Sequence, residues 1–363
     1  MTCYRPNIRV ANFNQLTEKG NSSTYKFINS LGDQIKRYPN GEVNYEWYEK
    51  QNEIIKERGF EYQQVPCGKC IGCKESYRKE WATRLVLESQ RWKDNYFVTL
   101  TYDDEHLPWD DTFINQETGE IYEDDGTWNG YLVPDHMTKF LKRLRRNLEY
   151  DQNFQGVRYF YCGEYGTTYK RPHYHIILFN CPLDTKDFKV RRIDAESGKI
   201  LWNSAKLEKL WGMGFVTIEE FDYNAAAYVA GYVQKKAYSC RDTENYAKRG
   251  QTPEFVRMSR KEGIGKYYYE HHPEMYQNDE IIIKGSKQKI IPAKIPRYFD
   301  KQRELVNPEQ MEKLKLHRKN KAIINQNTKM SQTDLCKAEQ LKVEECAKER
   351  IMNTLKRNRT EVG

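Results

Sequence analysis

Two kinds of segment that would place this chain in a membrane or outside a cell are missing from its sequence. No stretch approaches the roughly 18 consecutive apolar residues that cross a bilayer. The N-terminal residues, MTCYRPNIRV, lack the apolar core of a secretion signal. The sequence therefore predicts a protein of the cytoplasm with no membrane partner.

A motif for nucleotide hydrolysis is also missing. The segment 263-GIGKYY-268 lacks the upstream glycine of a phosphate-binding loop, and Tyr267 follows its lysine where serine or threonine is required. No internal repeat is present. The sequence therefore gives no indication of an ATP-driven motor.

What the chain does contain is enough apolar material for one large core with attachments, or for two domains. Of its 363 residues, 38% are hydrophobic and 13% aromatic, and the mean hydropathy of −0.95 indicates a very polar surface. The net charge of +8 favours a polyanionic partner only where it is clustered. The 27 tyrosines add weight to a nucleic-acid partner, because tyrosine can stack on bases, form hydrogen bonds and act as a nucleophile.

The nine cysteines are unevenly distributed. Cys67, Cys70 and Cys73 all fall in the segment 66-PCGKCIGC-73. This crowding favours a metal site over disulfides, and the third cysteine argues against redox chemistry. Zinc at such a site needs one further ligand. An iron–sulfur cluster, which uses similar ligands, is the alternative.

Hydrophobic periodicity predicts alternating strands and helices through the middle of the chain. The predicted elements are a helix over 74–93, a strand over 96–103, a helix over 133–148, strands over 157–162 and 173–179, a short helix near 203–211, a strand over 214–221 and a helix over 223–238. From the strand 96–103 onward the order is β-α-β-β-α-β-α. It predicts an α+β fold of the ferredoxin-like, split βαβ type, with helices covering one face of an antiparallel sheet.

Four segments are predicted from these patterns. Residues 1–75 form an N-terminal segment with the cysteine motif, and residues 76–240 form the α+β core. Residues 241–300 form a mixed extension packed on the core, and residues 301–363 form a charged, basic helical tail.

The helix predicted over 133–148 is strongly amphipathic. Its apolar stripe consists of Met137, Phe140, Leu141, Leu144 and Leu148. The opposite face carries basic residues with no acid among them: Lys139, Lys142, Arg143, Arg145 and Arg146. A solvated surface accounts for such charges in general, but a cluster of one sign also suits DNA phosphates.

The segment 173-HYHIILF-179 places two histidines on a predicted strand. Because successive side chains of a strand point to opposite faces, His173 and His175 share one face and Tyr174 lies on the other. Glu164, nine residues before His173, reaches the histidine face if the two neighbouring strands pair. Two imidazoles and a carboxylate suit Mn²⁺, Mg²⁺ or Zn²⁺, with positions left open for a phosphate oxygen. Ordinary histidines on a half-exposed face, with a solvated carboxylate, are the alternative.

The segment 228-YVAGYVQKK-236 places two tyrosines one helical turn apart. Tyr228 and Tyr232 share a helix face with Lys235 and Lys236. A tyrosine can attack a phosphodiester and conserve its energy in a phosphotyrosine bond, and nearby cations would favour the phenolate. Two tyrosines allow two successive transesterifications. Packing of one or both rings in the core is the alternative.

Three segments together resemble motifs I, II and III of the HUH-type rolling-circle replication initiators, in the same order along the chain. They are 97-FVTLTYDDEHLP-108, 171-RPHYHIILF-179 and 228-YVAGYVQKK-236. Within that superfamily the chain closely resembles the replication initiation proteins of microviruses, small icosahedral single-stranded DNA phages, on the gokushovirus branch. Further matches are 66-PCGKCIGC-73 followed by Trp81 and Arg84, 163-GEYG-166, 258-MSRKEGIG-265 and 296-PRYF-299, so that the resemblance spans most of residues 3–300.

The resemblance implies a site-specific DNA nickase. His173 and His175 match the paired metal-binding histidines, and Glu164 falls where related initiators have an acidic third ligand for Mg²⁺ or Mn²⁺. Tyr228 and Tyr232 match the paired nucleophiles. Tyr174, between the two histidines, is a mild departure from the family, which has a bulky aliphatic residue there. Its side chain is expected to point away from the metal.

The resemblance also implies DNA contacts and a fourth cysteine ligand. The first motif strand carries residues near the scissile DNA, which makes Thr99, Thr101 and Asp103 candidates beside the basic residues Lys142, Arg143 and Arg146. An early cysteine followed by Pro6 makes Cys3 the expected fourth ligand of a structural Zn²⁺. Cys162 or a histidine is the alternative ligand.

The implied partners are single-stranded or supercoiled phage DNA at the replication origin, a host helicase and a host DNA polymerase, in the cytoplasm of an infected bacterium. A relaxase or single-strand transposase with the same motifs is one alternative, and a preference for DNA hairpins would distinguish it. A non-catalytic, zinc-dependent nucleic-acid-binding protein, in which the histidines and tyrosines only pack or stack, is the other. Metal-independent binding without cleavage would distinguish it.

Overall fold

A computed structural model describes most of the chain. The described residues are 3–12, 25–28, 60–109, 112–114, 119, 121–123, 130–166, 169–195, 198–238, 246, 251–285 and 290–360. The chain divides into two compact units, one formed by residues 1–77 with 309–363 and the other by residues 78–308. The division into four segments at 75, 240 and 300 remains a prediction.

The described secondary structure follows in chain order. The strands are β1 (Asn7–Asn12), β2 (Tyr25–Ile28), β3 (Phe60–Val65), β4 (Asn95–Tyr102), β5 (Thr112–Ile114), β6 (Ile121–Glu123), β7 (Arg158–Tyr165), β8 (Pro172–Phe179), β9 (Phe188–Ile193), β10 (Ile200–Ser204), β11 (Gly214–Glu220), β12 (Phe255–Met258), β13 (Ile281–Lys284) and β14 (Ile290–Ala293). The helices are α1 (Ile71–Ser89), α2 (Pro134–Gln152), α3 (Ala205–Trp211), α4 (Tyr223–Tyr238), α5 (Lys266–His271), α6 (Met275–Asn278), α7 (Arg297–Val306), α8 (Pro308–Met330) and α9 (Lys337–Thr360).

The unit of residues 78–308 is built around a seven-stranded sheet with the order β12-β7-β8-β4-β11-β10-β9. All neighbouring strands are antiparallel. The predicted α+β class and antiparallel sheet are thus confirmed. The histidine strand β8 is hydrogen-bonded on both edges, to β7 and to β4, so the ladders on either side fix the positions of its side chains.

One face of the sheet carries the main hydrophobic core. Tyr174, Ile176 and Leu178 of β8 are fully buried there. The apolar stripe predicted for the second helix is confirmed in α2, where all of its members are buried. Trp211, at the end of α3, packs on Tyr174 with ring centroids 5.8 Å apart and on Phe140 at 6.0 Å. This face therefore follows the sequence pattern.

Helices also lie on the opposite face, which corrects the expectation that they cover only one. In α1, the ring of Trp81 lies 5.3 Å from that of Phe160 in β7. In α4, the ring of Tyr228 lies 6.2 Å from that of Phe97 in β4. The physical reason is that this second row of side chains also contains large apolar residues, such as Phe97 and Ile177, which are buried and would lie in water without a second helical layer.

Three strands of the sheet were not expected from the sequence. β9 and β10 extend the sheet beyond β11, and β12 flanks β7. β9 is an edge strand in which five of six residues are exposed, and β12 has only four residues. Their sequences therefore lack the buried alternation that marks a strand.

Glu88, in α1, is buried among polar partners. Its Oε1 accepts hydrogen bonds from Arg158 Nε at 2.6 Å and Trp92 Nε1 at 3.2 Å, and its Oε2 accepts one from Gly265 N at 2.6 Å. A buried carboxylate is costly unless it is paired in this way. The network connects α1, β7 and the segment 258–265.

Gly214 begins β11 with φ +132°, a conformation that residues with side chains rarely adopt. A Cβ atom at this position would overlap the backbone of Thr101 and Asp103 at the end of β4. The N–H of Asp103 donates a hydrogen bond to the carbonyl of Met213 at 3.1 Å. Glycine therefore allows β11 to approach the strand that flanks the histidines.

The unit formed by the two chain ends contains a three-stranded sheet, in the order β2-β1-β3, and the C-terminal helices α8 and α9. Arg5 pairs with the buried Glu345 of α9 at 2.7 Å, and Glu75 pairs with Lys348 at 2.8 Å. The predicted helical character of the tail is thus confirmed. Within the described part of the chain, no helix is long and apolar enough to span a membrane.

Candidate functional site

The pairing of β7 with β8 brings Glu164 and the two histidines together. Glu164 lies directly opposite His173, and His175 is two residues further along the same face. On the other side of β8, β4 places Thr101 opposite His173 and Thr99 opposite His175. Because these residues share one face, the register itself assembles the site.

Three potential metal-ligand atoms converge on one point in this register. Nε2 of His173 lies 2.8 Å and Nε2 of His175 lies 2.7 Å from Oε1 of Glu164. Glu164 and His175 are buried, and His173 is half-buried. The structure thus brings together the three residues that the sequence singled out as metal ligands.

The second nitrogen of each imidazole is engaged as well. Nδ1 of His173 lies 3.1 Å from the carbonyl oxygen of Arg171, which only accepts hydrogen bonds, so this nitrogen carries a proton. Nδ1 of His175 lies 2.9 Å from Oγ1 of Thr99. Nδ1 is protonated in His173, and the Thr99 hydroxyl can accept a hydrogen bond from Nδ1 of His175 in the same way. Nε2 of a neutral imidazole in this state presents a lone pair, and lone pairs that face a carboxylate oxygen require a cation or extra protons between them. The donor set therefore fits a divalent cation.

The electrostatics of Glu164 keep it ionised. Burial would raise the pKa of this carboxyl. When protons lie between it and the two imidazoles, hydrogen bonds from His173 and His175, together with the charges of the protonated rings, outweigh burial and hold its pKa well below the usual range. An ionised carboxylate is an acceptor only and a suitable ligand for a hard cation.

Helix α4 brings the hydroxyl of Tyr228 to this cluster. The hydroxyl donates a hydrogen bond to Oε1 of Glu164 at 3.1 Å and lies 3.4 Å from Nε2 of His175. Its ring stands perpendicular to that of His175, with centroids 5.0 Å apart, and 40% of the residue is exposed. The phenol oxygen therefore adjoins the ligand atoms while the side chain stays accessible to a substrate.

The first turn of α4 is held in place by two contacts. Oδ1 of Asp222 accepts a hydrogen bond from the N–H of Ala225 at 2.9 Å, which satisfies one of the unpaired donors at a helix start. Nε of Arg78, in α1, donates to the carbonyl of Ala227 at 2.9 Å. Both contacts lie within one turn of Tyr228 and fix the backbone that carries it.

Three further residues were predicted for the same chemistry. Tyr232, Lys235 and Lys236 lie in α4, but their side chains are outside the described residues. Their roles remain predictions.

Comparison with known proteins places the chain in a family. Residues 95–237, which include the histidines, Glu164 and Tyr228, match the family model described under the name Replication-associated protein ORF2. The Replication-associated protein ORF2 of Spiroplasma virus 4 is 38% identical over 273 residues, which cover 74% of this chain and 75% of that relative. The chain belongs to this family of replication-associated proteins.

Two other relatives agree with this assignment. The Replication-associated protein VP4 of Bdellovibrio phage phiMH2K is 31% identical over 239 residues, 64% of this chain and 65% of the relative. The Replication-associated protein ORF4 of Chlamydia phage 1 is 27% identical over 245 residues, 67% of this chain and 54% of the relative. The predicted resemblance to the replication proteins of microviruses is thereby confirmed. No solved structure matches the chain significantly.

The three residues in and just after β4 that were predicted to lie near DNA differ from one another in their surroundings in this replication-associated protein. Thr99 bonds to a histidine, as described above. Thr101 is half-exposed on the same face, and its hydroxyl donates to the carbonyl of Phe215 at 3.4 Å. Asp103, which follows β4, accepts a hydrogen bond from the N–H of His106 at 2.8 Å. Contact of these residues with DNA remains a prediction.

The basic residues that were predicted to contact DNA belong to the helical layer on the other side of the sheet from the histidines. Lys142 and Arg146 are exposed on α2. Arg143 is half-buried, and its Nε donates to the carbonyl of Leu210 in α3 at 2.6 Å. The structure does not bring these residues together with the histidine cluster, and their contact with DNA remains a prediction.

The unit of the chain ends contains a second cluster, which has only sulfur ligands. The Sγ atoms of Cys3, Cys67, Cys70 and Cys73 lie within 4.8 Å of one another. The N–H groups of Cys67 and Tyr4 donate to Sγ of Cys3 at 3.2 Å and of Cys70 at 3.4 Å. The hydrogen bond between the Cys3 and Cys70 sulfurs, 3.9 Å apart, lowers the pKa of Cys70 against the effect of burial, and backbone N–H groups add to this shift. Four sulfurs at this spacing fit a closed zinc site.

Sequence reasoning missed the groups that orient the ligands of the first cluster. The carbonyl of Arg171 faces His173, and the ring of Phe97 is stacked on His175 with centroids 5.5 Å apart and an interplanar angle of 10°. Asp222 caps the helix that carries the tyrosine. The Arg171 carbonyl and the Phe97 ring are brought to the histidines by the register between strands. The residue pattern of one strand does not specify that register.

Proposed function

We propose that this chain is a site-specific single-strand DNA endonuclease and strand transferase that initiates and terminates rolling-circle replication of a circular phage genome. The observation that carries the proposal is the position of the Tyr228 hydroxyl, 3.1 Å from Oε1 of Glu164 and 3.4 Å from Nε2 of His175. A nucleophile beside a set of metal ligands suits phosphodiester transesterification. The relatives described as replication-associated proteins support the same role.

The proposed reaction starts at the phenol of Tyr228. Its oxygen forms a bond to the scissile phosphorus while the bond from phosphorus to the 3′ oxygen breaks. The phenol loses its proton to solvent, and the departing 3′ oxygen takes up a proton from solvent. The products are a 5′-phosphotyrosine and a free 3′-hydroxyl. One phosphodiester replaces another, so no nucleotide hydrolysis is needed.

Glu164, His173 and His175 are proposed to hold Mg²⁺ or Mn²⁺ through Oε1 and the two Nε2 atoms. A bound ion would polarise the scissile phosphate and offset the negative charge of the transition state. The contribution of the chain is orientation, because the Arg171 carbonyl and the Thr99 hydroxyl fix the rotation of the two imidazoles.

Tyr232 is proposed as the second nucleophile. It would cut the regenerated junction after one round of replication, and the released 3′-hydroxyl would then attack the phosphotyrosine at Tyr228 and close the circle. Lys235 and Lys236, one turn further along the helix, are proposed to favour the phenolate.

The wider assignment has four parts. The seven-stranded core is proposed to be the ferredoxin-like fold of the HUH endonucleases, whose motif order it shares. The cysteine cluster is proposed to hold a structural Zn²⁺. The proposed partners are single-stranded or supercoiled DNA at the phage origin and, because the sequence has no motor motif, a host helicase and polymerase. The proposed site of action is the cytoplasm of the infected bacterium.

Formation of a covalent protein–DNA adduct tests the proposal. The wild-type protein, incubated with labelled single-stranded genome fragments and Mn²⁺, should give an adduct that survives denaturant. The double variant Tyr228→Phe, Tyr232→Phe should give none. Tyr150→Phe serves as a matched control, because Tyr150 is an exposed tyrosine on α2, across the sheet from the histidines. Persistence of the adduct in the double variant would refute the proposal.

A further inference from the structure

Phe215 occupies an unusual position for a large apolar residue. It lies on the histidine face of the sheet, yet 52% of it is exposed. In β11 it is paired with Thr101, which is itself opposite His173. With strands spaced about 4.8 Å apart, its backbone lies roughly 10 Å from that of His173. Its place in the same row as the candidate active site makes this exposed ring a candidate stacking surface for a base.

A cation lies over the neighbouring row. Thr217 is opposite Thr99, the partner of His175. Nη1 of Arg191, an exposed residue of β9, donates to Oγ1 of Thr217 at 2.9 Å. A guanidinium has five donors, so this bond holds the group in place and leaves donors for another ligand. The face thus presents an aromatic ring and a fixed cation side by side.

The acidic residues in and beside the next row are partly neutralised by a lysine. Glu219 is opposite Phe97, one row beyond Thr217. Nζ of Lys199 lies 4.0 Å from a carboxylate oxygen of Glu219 and 2.7 Å from one of Asp222. This lysine offsets their charge.

We infer that Phe215 and Arg191, with Thr101 and Thr217 between them and the histidines, form a platform for single-stranded DNA that continues from the scissile phosphate. Phe215 stacks on an unpaired base, and Arg191 binds a phosphate of the same strand. Duplex DNA does not fit this surface, because its bases are already stacked on each other and hide their faces. The inference rests on the proposed function for the position of the scissile phosphate, but binding to the platform is measurable without cleavage.

Binding measurements on Tyr228→Phe protein test the role of the ring. The probes are a fluorescein-labelled oligothymidine and a duplex of the same length, followed by fluorescence anisotropy. Phe215→Ala should weaken binding of the single strand about tenfold, because a base gains this order of affinity from an aromatic partner. Phe215→Tyr should preserve binding. Tyr150→Ala, which removes an exposed ring across the sheet, should leave it unchanged.

The salt dependence of the same measurement tests Arg191. Arg191→Gln should lower the slope of log affinity against log salt concentration by about 0.7, the value for one phosphate contact on a single strand. A loss of packing alone would not change this slope. Arg260→Gln is the matched control, because Arg260 is an exposed arginine that follows β12, the strand at the opposite edge of the sheet.

Photochemical cross-linking provides a second readout that does not depend on affinity. An oligonucleotide with 5-iodouridine should attach to the peptide that contains Phe215. Unchanged single-strand affinity in Phe215→Ala, or an equal loss for single-stranded and duplex DNA, would overturn the inference. Absence of a covalent adduct in the wild-type protein, with the Phe215 effect intact, would refute the nickase proposal and leave the platform supported.

Discussion

The two clusters of potential metal ligands differ in where their rigidity comes from. The cysteine cluster takes three sulfurs from the segment 67–73 and the fourth from Cys3, and these residues adjoin β1 and β3 of a small three-stranded sheet. The histidine cluster takes its ligands from two paired strands inside a seven-stranded sheet. We expect a bound metal to contribute more to the folding of the first site, whereas the larger sheet holds the ligands of the second in position.

The donor atoms support the same contrast. Four sulfurs satisfy a tetrahedral zinc ion completely and leave no position for a substrate. Two imidazoles and one carboxylate leave positions open, and the hydroxyl of Tyr228 stands beside them. One cluster therefore suits a structural role and the other suits chemistry.

The largest effect is expected from breaking the sulfur cluster. Cys70→Ser should abolish zinc binding and unfold the unit of the chain ends, because structural zinc contributes about 10–16 kcal/mol of apparent binding free energy in small zinc domains. Zinc content and hydrogen exchange of that unit are the measurements. Cys346→Ser, which changes an exposed cysteine outside the cluster, is the control. Zinc retained at full occupancy in Cys70→Ser would contradict the contrast drawn above.

A loss of ion binding without unfolding is expected at the histidine cluster. His175→Ala should reduce Mn²⁺ affinity by more than the roughly 10- to 100-fold that a lost supporting contact costs, because it removes a ligand itself. Calorimetric titration with Mn²⁺ measures the affinity, and circular dichroism monitors the fold. Global unfolding of this variant, comparable to that of Cys70→Ser, would show that the sheet does not preform the site.

A smaller effect is expected from the group that orients His175. Thr99→Val keeps the shape of the side chain and removes the hydroxyl that contacts Nδ1. We expect Mn²⁺ affinity to fall about 10- to 100-fold. Thr99→Ser restores the hydroxyl and should recover the affinity. If valine and serine behave alike, the hydroxyl does not orient the ring.

The smallest effect on stability is expected at Tyr228, the proposed nucleophile. Tyr228→Phe removes one hydrogen bond to Glu164 and keeps the ring, so the free energy of unfolding should change by about 1 kcal/mol or less. Zinc and Mn²⁺ occupancy should be unchanged while adduct formation at this residue is lost. Denaturant unfolding gives the free energy. A change of several kcal/mol would indicate that the phenol serves stability and would weaken the catalytic assignment.

The sequence was sufficient for the elements that carry the site. The alternation in 173–179 predicted that His173 and His175 share a face, and the apolar stripe of α2 is buried as its spacing indicated. These features depend on local periodicity, which a single chain displays directly. The family resemblance predicted that the histidines and Tyr228 belong to one site. Periodicity alone does not predict which distant segments come together.

What the sequence did not reveal depends on contacts between distant segments. Helices on both faces of the sheet follow from how α1 and α4 pack, and the exposed edge strand β9 carries almost no buried alternation. The Arg171 carbonyl is a backbone group that any residue type would supply. In the sequence, Phe215 has no feature that distinguishes it from other strand residues. Its place in the same row as His173 follows only from the register of β11, β4 and β8.

Gly214 has a consequence for how recognition by this chain could change. A side chain at this position would push β11 away from β4, because it would overlap the backbone of Thr101 and Asp103. The distance between Phe215 and the histidines would grow without the loss of any group that touches nucleic acid. If Phe215 binds a base as inferred above, a substitution at Gly214 should change the spacing of nucleotides that the chain accepts, although glycine has no side chain with which to contact DNA.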